Sequence, residues 1–138
     1  MIATLQRDLQ SKAHLEVLAA LTVLTKLVNQ QIVLALKDAV DQLLTHTNEM
    51  IRKKAVIVIM KFNHVMPIDQ FDMKMKRALC DKDPSVMAAS LNHFVDACRT
   101  RPAEHKDLVQ SFLIILKQVT DHRLPRDFDY HRMPAPWI

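Results

Sequence analysis

The side chains of this chain that could do chemistry are seven histidines, two cysteines and a polar cluster near the end. No two histidines form the HxxxH or HExxH pair that holds zinc on one helix face. The cluster comprises Asp121, His122, Asp127, Asp129 and His131. A metal or hydrolytic site needs ligands that converge on a rigid scaffold, and prolines interrupt this stretch. We therefore interpret the cluster as solvated loop polarity, and we expect no metal and no cofactor.

Cysteine and glycine usage limits the possible reactions further. Cys80 and Cys98 have no CxxC or CxxH spacing, so we interpret them as reduced, buried thiols of a cytosolic protein. The sequence contains no glycine, whereas phosphate-binding loops, dinucleotide-binding fingerprints and nucleophile elbows all require it. No serine or cysteine has an evident base with a group that orients it. We expect that the chain is not an enzyme.

Positive charge is concentrated in the middle of the chain. Residues 52–82 contain eight basic and three acidic side chains, a net charge of +5, while the segments on either side carry −1 and 0. The candidate basic patch comprises Arg52, Lys53, Lys54, Lys74, Lys76 and Arg77. Such a patch could contact acidic lipid headgroups, an acidic protein surface or nucleic acid. The competing interpretation, a solvated helix face, is the one that we favour.

The single tryptophan is a candidate interface residue. Trp137 follows two prolines in the terminal sequence PAPWI. An exposed tryptophan exposes a large apolar surface to water unless another group packs on it. We expect a further helix after residue 138, and we expect the 138 residues to be a piece of a longer chain.

The elements that position these residues are predicted to be helices, separated by prolines and capping residues. Predicted helices run over Ile2–Gln10, Ala13–Val28, Gln31–Leu44, Met50–Val65, a segment after Pro67 that contains Phe71, Pro84–Arg99, and Glu104–Thr120. Asn48 is predicted to cap the fourth helix, and Asp83 with Pro84 to begin the sixth. We expect these caps and prolines to make turns that glycines in the left-handed conformation make in other proteins.

The helices are predicted to form repeating pairs. An alignment of LEVLAAL, IRKKAVI and VMAASLN superposes Leu15, Ile51 and Val86, which are 36 and 35 residues apart. A single helix pair cannot bury its apolar face alone, so stacked neighbours must complete the core. The pattern favours an all-α solenoid of the HEAT/armadillo type with about three repeats over an irregular helical bundle. Residues 1–120 are predicted to form the repeats, and residues 121–138 a proline-containing loop.

Three segments resemble a known family: IRKKAVIVIMKF, KMKRALCDKDPSVMAASL and LPRDFDYHRMPAPW. They are similar to the trunk of the large adaptins, the α-solenoid subunits of heterotetrameric adaptor-protein coat complexes. The resemblance covers nearly the whole chain from Thr4 onward, and the stretch before PAPW is most similar to the epsilon type of the fourth adaptor complex. Ser85 and Asp121-His122 stand where the epsilon pattern has glycines.

The resemblance implies a scaffold segment in vesicle-mediated intracellular protein transport, where the assembled complex sorts cargo at the trans-Golgi network. It implies beta-type large, mu-type medium and sigma-type small subunits as partners, and recruitment by an Arf-type GTPase. The whole complex would then lie in the cytoplasm, peripherally on Golgi membranes. The family's lipid and dileucine-cargo residues lie outside this segment, and residues 52–54 match a structural repeat motif, which weakens the lipid interpretation of the basic patch.

Other classes remain open beside this one. A karyopherin-like transport receptor would share the solenoid but lacks the PAPW loop, and an alpha-type endocytic adaptin would share that loop. A basic solenoid that binds nucleic acid would show a steep dependence of affinity on salt. We do not expect nucleic acid as a partner, because no aromatic side chains lie among the cations to stack on bases.

Overall fold

A computed structural model describes all 138 residues, and nearly all of its regular structure is helical. The α-helices are α1 (Ile2–Leu9), α2 (His14–Leu24), α3 (Gln30–Leu43), α4 (Glu49–Val65), α5 (Phe71–Leu79), α6 (Pro84–Thr100) and α7 (Val109–Thr120). Two 3₁₀ helices lie at Pro102–Leu108 and Arg126–Phe128. The only β-type pairing is an isolated bridge between Tyr130 and Met133, so the predicted all-α class is confirmed. None of the helices combines the length and apolar character needed to cross a bilayer.

The helices stack in two rows. Each odd-numbered helix packs on the next even-numbered one, in the pairs α1 with α2, α3 with α4, and α5 with α6. Helix α4 also contacts α2 on one side and α6 on the other, which makes α2, α4 and α6 one continuous row. Because short connections reverse the chain between consecutive helices, the members of this row run parallel. This arrangement is that of an α-solenoid, as the sequence predicts, rather than an irregular bundle.

One apolar core runs between the rows. It comprises 28 buried side chains in a single connected cluster. Phe62 on α4 and Phe94 on α6 are its largest fully buried members, with 0% and 1% of their surface exposed. Burial of a side chain of this size stabilises the fold by about 1.5–3 kcal/mol. The core is therefore centred on α4 and α6, which have neighbours on both sides.

Polar side chains begin three of the helices. The side-chain oxygen of Asn29 accepts a hydrogen bond from the N–H of Ile32 at the start of α3. Asn48 accepts from two N–H groups at the start of α4, and Asp83 accepts from one at the start of α6. Each cap satisfies N–H groups that have no partner within the helix. Pro84 takes the first position of α6, where no N–H is needed.

Two of the three residues that the sequence alignment treats as equivalent repeat positions are buried. Ile51 and Val86 are buried, with 0% and 1% exposed, but Leu15 is 82% exposed. The buried position of α2 is Val17, 34 residues before Ile51. A shift of two residues turns a helix by about 200° and exchanges its inner and outer faces. The alignment was wrong at α2 because that helix is apolar on nearly every face, so hydrophobicity alone does not fix its rotation.

The last predicted helix is divided, and α2 is shorter than predicted. Residues 102–108 form a 3₁₀ helix with non-helical backbone angles at His105, and regular α-helix begins only at Val109. No side chain caps either segment. Helix α2 ends at Leu24 instead of Val28, where the hydroxyl of Thr25 donates to a backbone carbonyl one turn back. Sequence periodicity finds the helices, but it does not locate these ends.

Left-handed turns do occur, although the chain has no glycine. Positive φ angles are found at Gln70, His122, His131, Arg132 and Ala135. His122 (φ 53°) follows the last turn of α7, and the next N–H, that of Arg123, donates to the carbonyl of Gln118. This bond pattern is the Schellman motif, which strongly favours glycine at the position of His122. Left-handed residues therefore occur in addition to the predicted caps and prolines, at Gln70 before α5 and in the turns after α7.

Candidate functional site

Arg52 forms the most extensive polar contact of the molecule. Its guanidinium donates through Nε and Nη2 to the two carboxylate oxygens of Asp81, both at 2.8 Å. Nη1 donates to the carbonyl oxygens of His46 and Thr47, at 2.9 and 3.0 Å. Asp81 in turn accepts from the backbone N–H of Asp83. The start of α4 is thereby joined to the turn before it and to the turn before α6.

Burial and charge at this pair explain its ionisation. Burial alone would raise the pKa of Asp81, but the hydrogen bonds and charge of Arg52 and the N–H of Asp83 outweigh it and lower that pKa. The hydrogen bond to Asp81 raises the pKa of Arg52 in spite of burial. Only 5% of Arg52 is exposed. The prediction that Arg52 belongs to a surface patch was wrong, because its guanidinium is buried and binds Asp81, which lies 29 residues later in the sequence.

The rest of the predicted basic patch does not form one surface of free cations. Lys74 pairs with Asp41 at 2.9 Å and Lys76 pairs with Asp107. Lys53 and Arg77 are exposed, and Lys54 is half-buried. Tertiary pairing thus neutralises part of the positive charge that the sequence concentrates in this region. The remaining cations stay a candidate contact surface, predicted but not defined by any bound group.

A groove of about 550 Å³ lies between α3 and α5, with α4 below it. Leu44, Val56 and Ala78 are among its apolar lining residues, while the Lys74–Asp41 pair and Arg77 supply charge. The volume falls in the range of ligand sites in proteins. No histidine lines the groove, so none of its hydroxyl or thiol groups has an imidazole base. The groove offers a binding surface, and its lining does not form a catalytic arrangement.

The polar cluster at the end of the chain is spread over several turns. Asp121 pairs with Arg123 at 3.3 Å, and Asp129 accepts from the N–H of Ala135 at 3.3 Å. His122 and His131 occupy left-handed turns and are exposed. The structure brings together no group of three or more His, Cys, Asp or Glu side chains that could hold a metal ion.

The two cysteines are free thiols, and one of them is not buried. Cys80 is exposed at the end of α5, and Cys98 on α6 is half-buried. The expectation that both are buried was wrong: Cys80 follows the last residue of α5 and is exposed, and Cys98 is only half-buried. Cys98 lines a small apolar hollow together with Phe112 of α7.

Two histidines form an aromatic cluster that sequence reasoning did not single out. The His93 ring lies edge-on to Phe71, with centroids 4.7 Å apart, and 3.7 Å separate its Nε2 from the carboxylate of Asp72. Burial lowers the pKa of His93, although Asp72 opposes that shift. His105 is 4% exposed, and neither ring nitrogen has a hydrogen-bond partner. Single histidines on helical stripes give no sequence signal that separates such positions from solvated ones.

Trp137 is 62% exposed, but groups of its own segment hold it in place. Its Nε1 donates to the carbonyl of Phe128 at 3.1 Å, and its ring lies 5.3 Å from that of Tyr130. The segment around it, closed by the Tyr130–Met133 bridge, therefore fixes the indole orientation. Its proposed role at an interface stays a prediction.

Apolar side chains are exposed on α7 and on α2. On α7, Val109, Leu113 and Leu116 are 54–58% exposed; we call them the α7 stripe. The α2 stripe comprises Leu15, Ala19 and Val23; Leu15 is 82% and Val23 38% exposed. Leu27, 51% exposed, lies in the loop after α2. Each stripe follows the three- or four-residue spacing of a helix flank. The sequence analysis did not identify the α2 stripe because it aligned Leu15 with the buried repeat positions Ile51 and Val86.

Comparison with known proteins gives a consistent result. The sequence profile of the family described as "Adaptin N terminal region" matches residues 1–138. Over its whole length the chain is 41% identical to the AP-4 complex subunit epsilon of Arabidopsis thaliana and 38% identical to the AP-4 complex subunit epsilon-1 of Homo sapiens. It is 28% identical, over 86% of its length, to the AP-3 complex subunit delta-1 of Bos taurus.

The chain is much shorter than these relatives. It spans 15% of the length of the Arabidopsis protein, 12% of the human protein and 10% of the bovine protein. No solved structure gives a significant match.

Proposed function

The chain belongs to the family of adaptin N-terminal regions, and on that premise we propose that it serves as a scaffold segment of an adaptor-complex large subunit. The observation that carries the proposal is the 38–41% identity, over the whole chain, with epsilon subunits of AP-4 from plant and animals. We propose a role in vesicle-mediated protein transport on the basis of this similarity to AP-4 complex subunits.

The fold supports a scaffolding role on physical grounds. In an α-solenoid each helix pair contacts only its neighbours, so successive pairs repeat at a regular spacing. Such a fold therefore presents surfaces for partners at fixed intervals. Here the contacts of Arg52 with Asp81 and with the carbonyls of His46 and Thr47 fix the angle between two successive pairs. A frame that holds other subunits needs this kind of rigidity more than it needs a reactive site. We accordingly propose that the chain performs no catalysis of its own.

The proposal extends to partners and place. The partners are beta-type large, mu-type medium and sigma-type small subunits, with recruitment of the whole complex by an Arf-type GTPase. The complex sits peripherally on Golgi and trans-Golgi network membranes and sorts transmembrane cargo there. Residues 1–120 supply the repeats, and residues 121–138 form a connecting loop. The change from regular helices to turns after Thr120 supports that division.

Affinity purification tests the proposal. The tagged chain is co-expressed with beta-, mu- and sigma-type adaptor subunits and then isolated, and the proteins that accompany it are identified by mass spectrometry. We expect the sigma-type small subunit and the beta-type large subunit to co-purify. The Arg52→Ala variant should lose them, whereas Leu34→Gln, which changes an exposed side chain on α3, should keep them. Isolation with nuclear-import cargo or RNA, and without any adaptor subunit, would refute the assignment.

A further inference from the structure

The groove between α3 and α5 lies in the middle of the helix stack, away from both ends of the chain. Helix α3 supplies one wall and α5 the other, while Val56 of α4 and Val86 of α6 line the floor. Both valines are 1% exposed, so the floor is the outer edge of the core. An apolar side chain of a ligand can therefore pack on this floor.

The lining of the groove has more cations than carboxylates. Both of its carboxylates already have partners, because Asp41 pairs with Lys74 and Asp81 binds Arg52. The third cation of the lining is Arg77, which is exposed and forms no ion pair. With three cations and two carboxylates, the lining has a net charge of +1 that an acidic ligand would balance.

The free guanidinium of Arg77 faces a wall without a carboxylate. Lys74 and Arg77 are one helical turn apart, so they lie on the same face of α5. On α3, one turn after Asp41, come Leu44 and Thr45 at the end of the helix. Helices α3 and α5 run in the same direction, so these two residues lie opposite Arg77. Only an added group can supply the carboxylate that Asp41 supplies to Lys74.

Two side-chain amides in the lining favour a peptide as the ligand. Gln42 on α3 and Gln70 before α5 are exposed, and neither side chain forms a hydrogen bond within the chain. A carboxamide both donates and accepts, as a peptide group does, so each glutamine can pair with the backbone of a bound peptide. A small organic acid would bind Arg77 but would leave both amides without a partner.

We propose that this groove binds an extended peptide segment of a partner protein, with an acidic and an aliphatic side chain one or two positions apart. The carboxylate pairs with Arg77, the aliphatic side chain packs on Val56 and Val86, and the peptide backbone bonds to the two glutamines. Charge complementarity requires the acidic residue, and the apolar floor requires the aliphatic one. The inference concerns the groove alone, so its failure would leave the proposed adaptor role as it stands.

Selection of random heptapeptides displayed on phage, with the purified chain as the target, tests the proposal. We expect the selected peptides to share Asp or Glu within two positions of Leu, Ile or Val. Arg77→Glu reverses the free charge and should select Lys or Arg in place of the acidic residue. Lys53→Glu is the matched control, because it reverses an exposed cation of α4 outside the groove. It should select the same peptides as the wild type.

Fluorescence anisotropy with one selected peptide measures the contribution of the charge. The peptide should bind Arg77→Glu about tenfold more weakly than the wild type, because two like charges then meet. Arg77→Gln provides a milder variant that should weaken binding without selecting basic peptides. Lys53→Glu should bind the peptide as tightly as the wild type does, and circular dichroism checks that every variant is folded.

The two native cysteines show where the selected peptide binds. Cys80 is exposed and lines the groove, whereas Cys98 lies outside it on α6. A saturating concentration of the peptide should slow the reaction of Cys80 with iodoacetamide severalfold and leave the rate at Cys98 unchanged. Mass spectrometry after proteolysis measures both rates in the same sample.

Several results would overturn the proposal. They are selection without enrichment, selected peptides that lack an acidic residue, the same peptides selected on Arg77→Glu, and a Cys80 rate that the peptide does not change. Glutarate that binds as tightly as the peptide would show that a small acid is sufficient. Dimers in sedimentation velocity that Arg77→Glu abolishes would show that a second copy of the chain occupies the groove instead.

Discussion

The middle of the chain, residues 30–100, and its C-terminal part, residues 102–138, are both rich in apolar residues but are held in different ways. In the middle, side chains cap α3, α4 and α6, and the core is continuous. In the C-terminal part no side chain caps a helix. Only His105, Leu108, Ile115 and Ala135 are buried there. In this structure α4 and α6, which have neighbours on both sides, bury seven side chains each, whereas α7 buries only Ile115.

The largest expected effect comes from breaking the polar contact in the middle. Arg52→Ala should lower the free energy of unfolding by about 3–5 kcal/mol, because it removes the cation that pairs with the Asp81 carboxylate and the donor to the carbonyls of His46 and Thr47. Its counterpart is Arg101→Ala, which removes an exposed pair with Glu104 and should cost at most about 1 kcal/mol. Urea denaturation measures both values.

A double substitution sharpens this first prediction. Arg52→Met with Asp81→Leu removes both charges, so it should be less destabilising than Arg52→Ala alone. If Arg52→Ala and Arg101→Ala lower the free energy of unfolding equally, the Arg52 contact does not stabilise the middle of the chain more than an exposed ion pair does.

Lowering the pH should reduce the stability of the middle of the chain in two steps. The pKa of His93 is lowered in the folded state, so the unfolded chain binds its proton more readily, and stability falls as pH drops below about 6.5. The pKa of Asp81 is also lowered, so its contribution is complete above about pH 4 and is lost below that pH. Thermal unfolding between pH 7 and pH 3 measures both steps. His93→Gln should abolish the first step and Asp81→Asn the second, and unchanged profiles would contradict the assignment.

Loss of a helix cap should lower the free energy of unfolding by less than loss of the Arg52 contact does. Asn48→Ala removes the oxygen that accepts from the N–H groups of Met50 and Ile51, and it should cost about 1 kcal/mol. Asn48→Asp keeps the acceptor and should restore most of the stability. If both variants unfold at the same urea concentration, capping is not what begins α4.

The smallest predicted effect is a stabilisation of the C-terminal part by a single substitution. His122 has a φ of 53°, so His122→Gly relieves a strained backbone and should raise the free energy of unfolding by roughly 0.5–1 kcal/mol. Ser85→Gly is the matched control: Ser85 is the second residue of α6 and its hydroxyl donates to Asp83, so glycine should be destabilising there. Opposite signs in thermal unfolding support the structure, and equal signs at the two positions would contradict it.

Much of the fold was predictable because local chemistry determines it. Asn48 and the Asp83-Pro84 pair begin helices through bonds to residues two or three positions away, which the sequence displays directly. The repeat spacing likewise predicts the solenoid. Leu15 was misplaced because α2 is apolar on nearly every face, and only packing against α4 fixes its rotation.

The candidate site was less predictable because long-range pairing decides it. Arg52 and Asp81 are 29 residues apart in sequence, and nothing local distinguishes Arg52 from the neighbouring Lys53, which is exposed. The same holds for Lys74 with Asp41. Left-handed turns at His122 and Gln70 were missed because neither residue type signals a positive φ in the way that glycine does.

Native-state hydrogen exchange tests the difference between the two regions most directly. We predict that amides in α4 and α6 exchange only through global unfolding. Amides in α7 should exchange through local opening, with a much lower free energy and little dependence on denaturant. If α7 is protected as strongly as α4, with the same denaturant dependence, then the C-terminal part belongs to the same cooperative unit and the contrast drawn here is wrong.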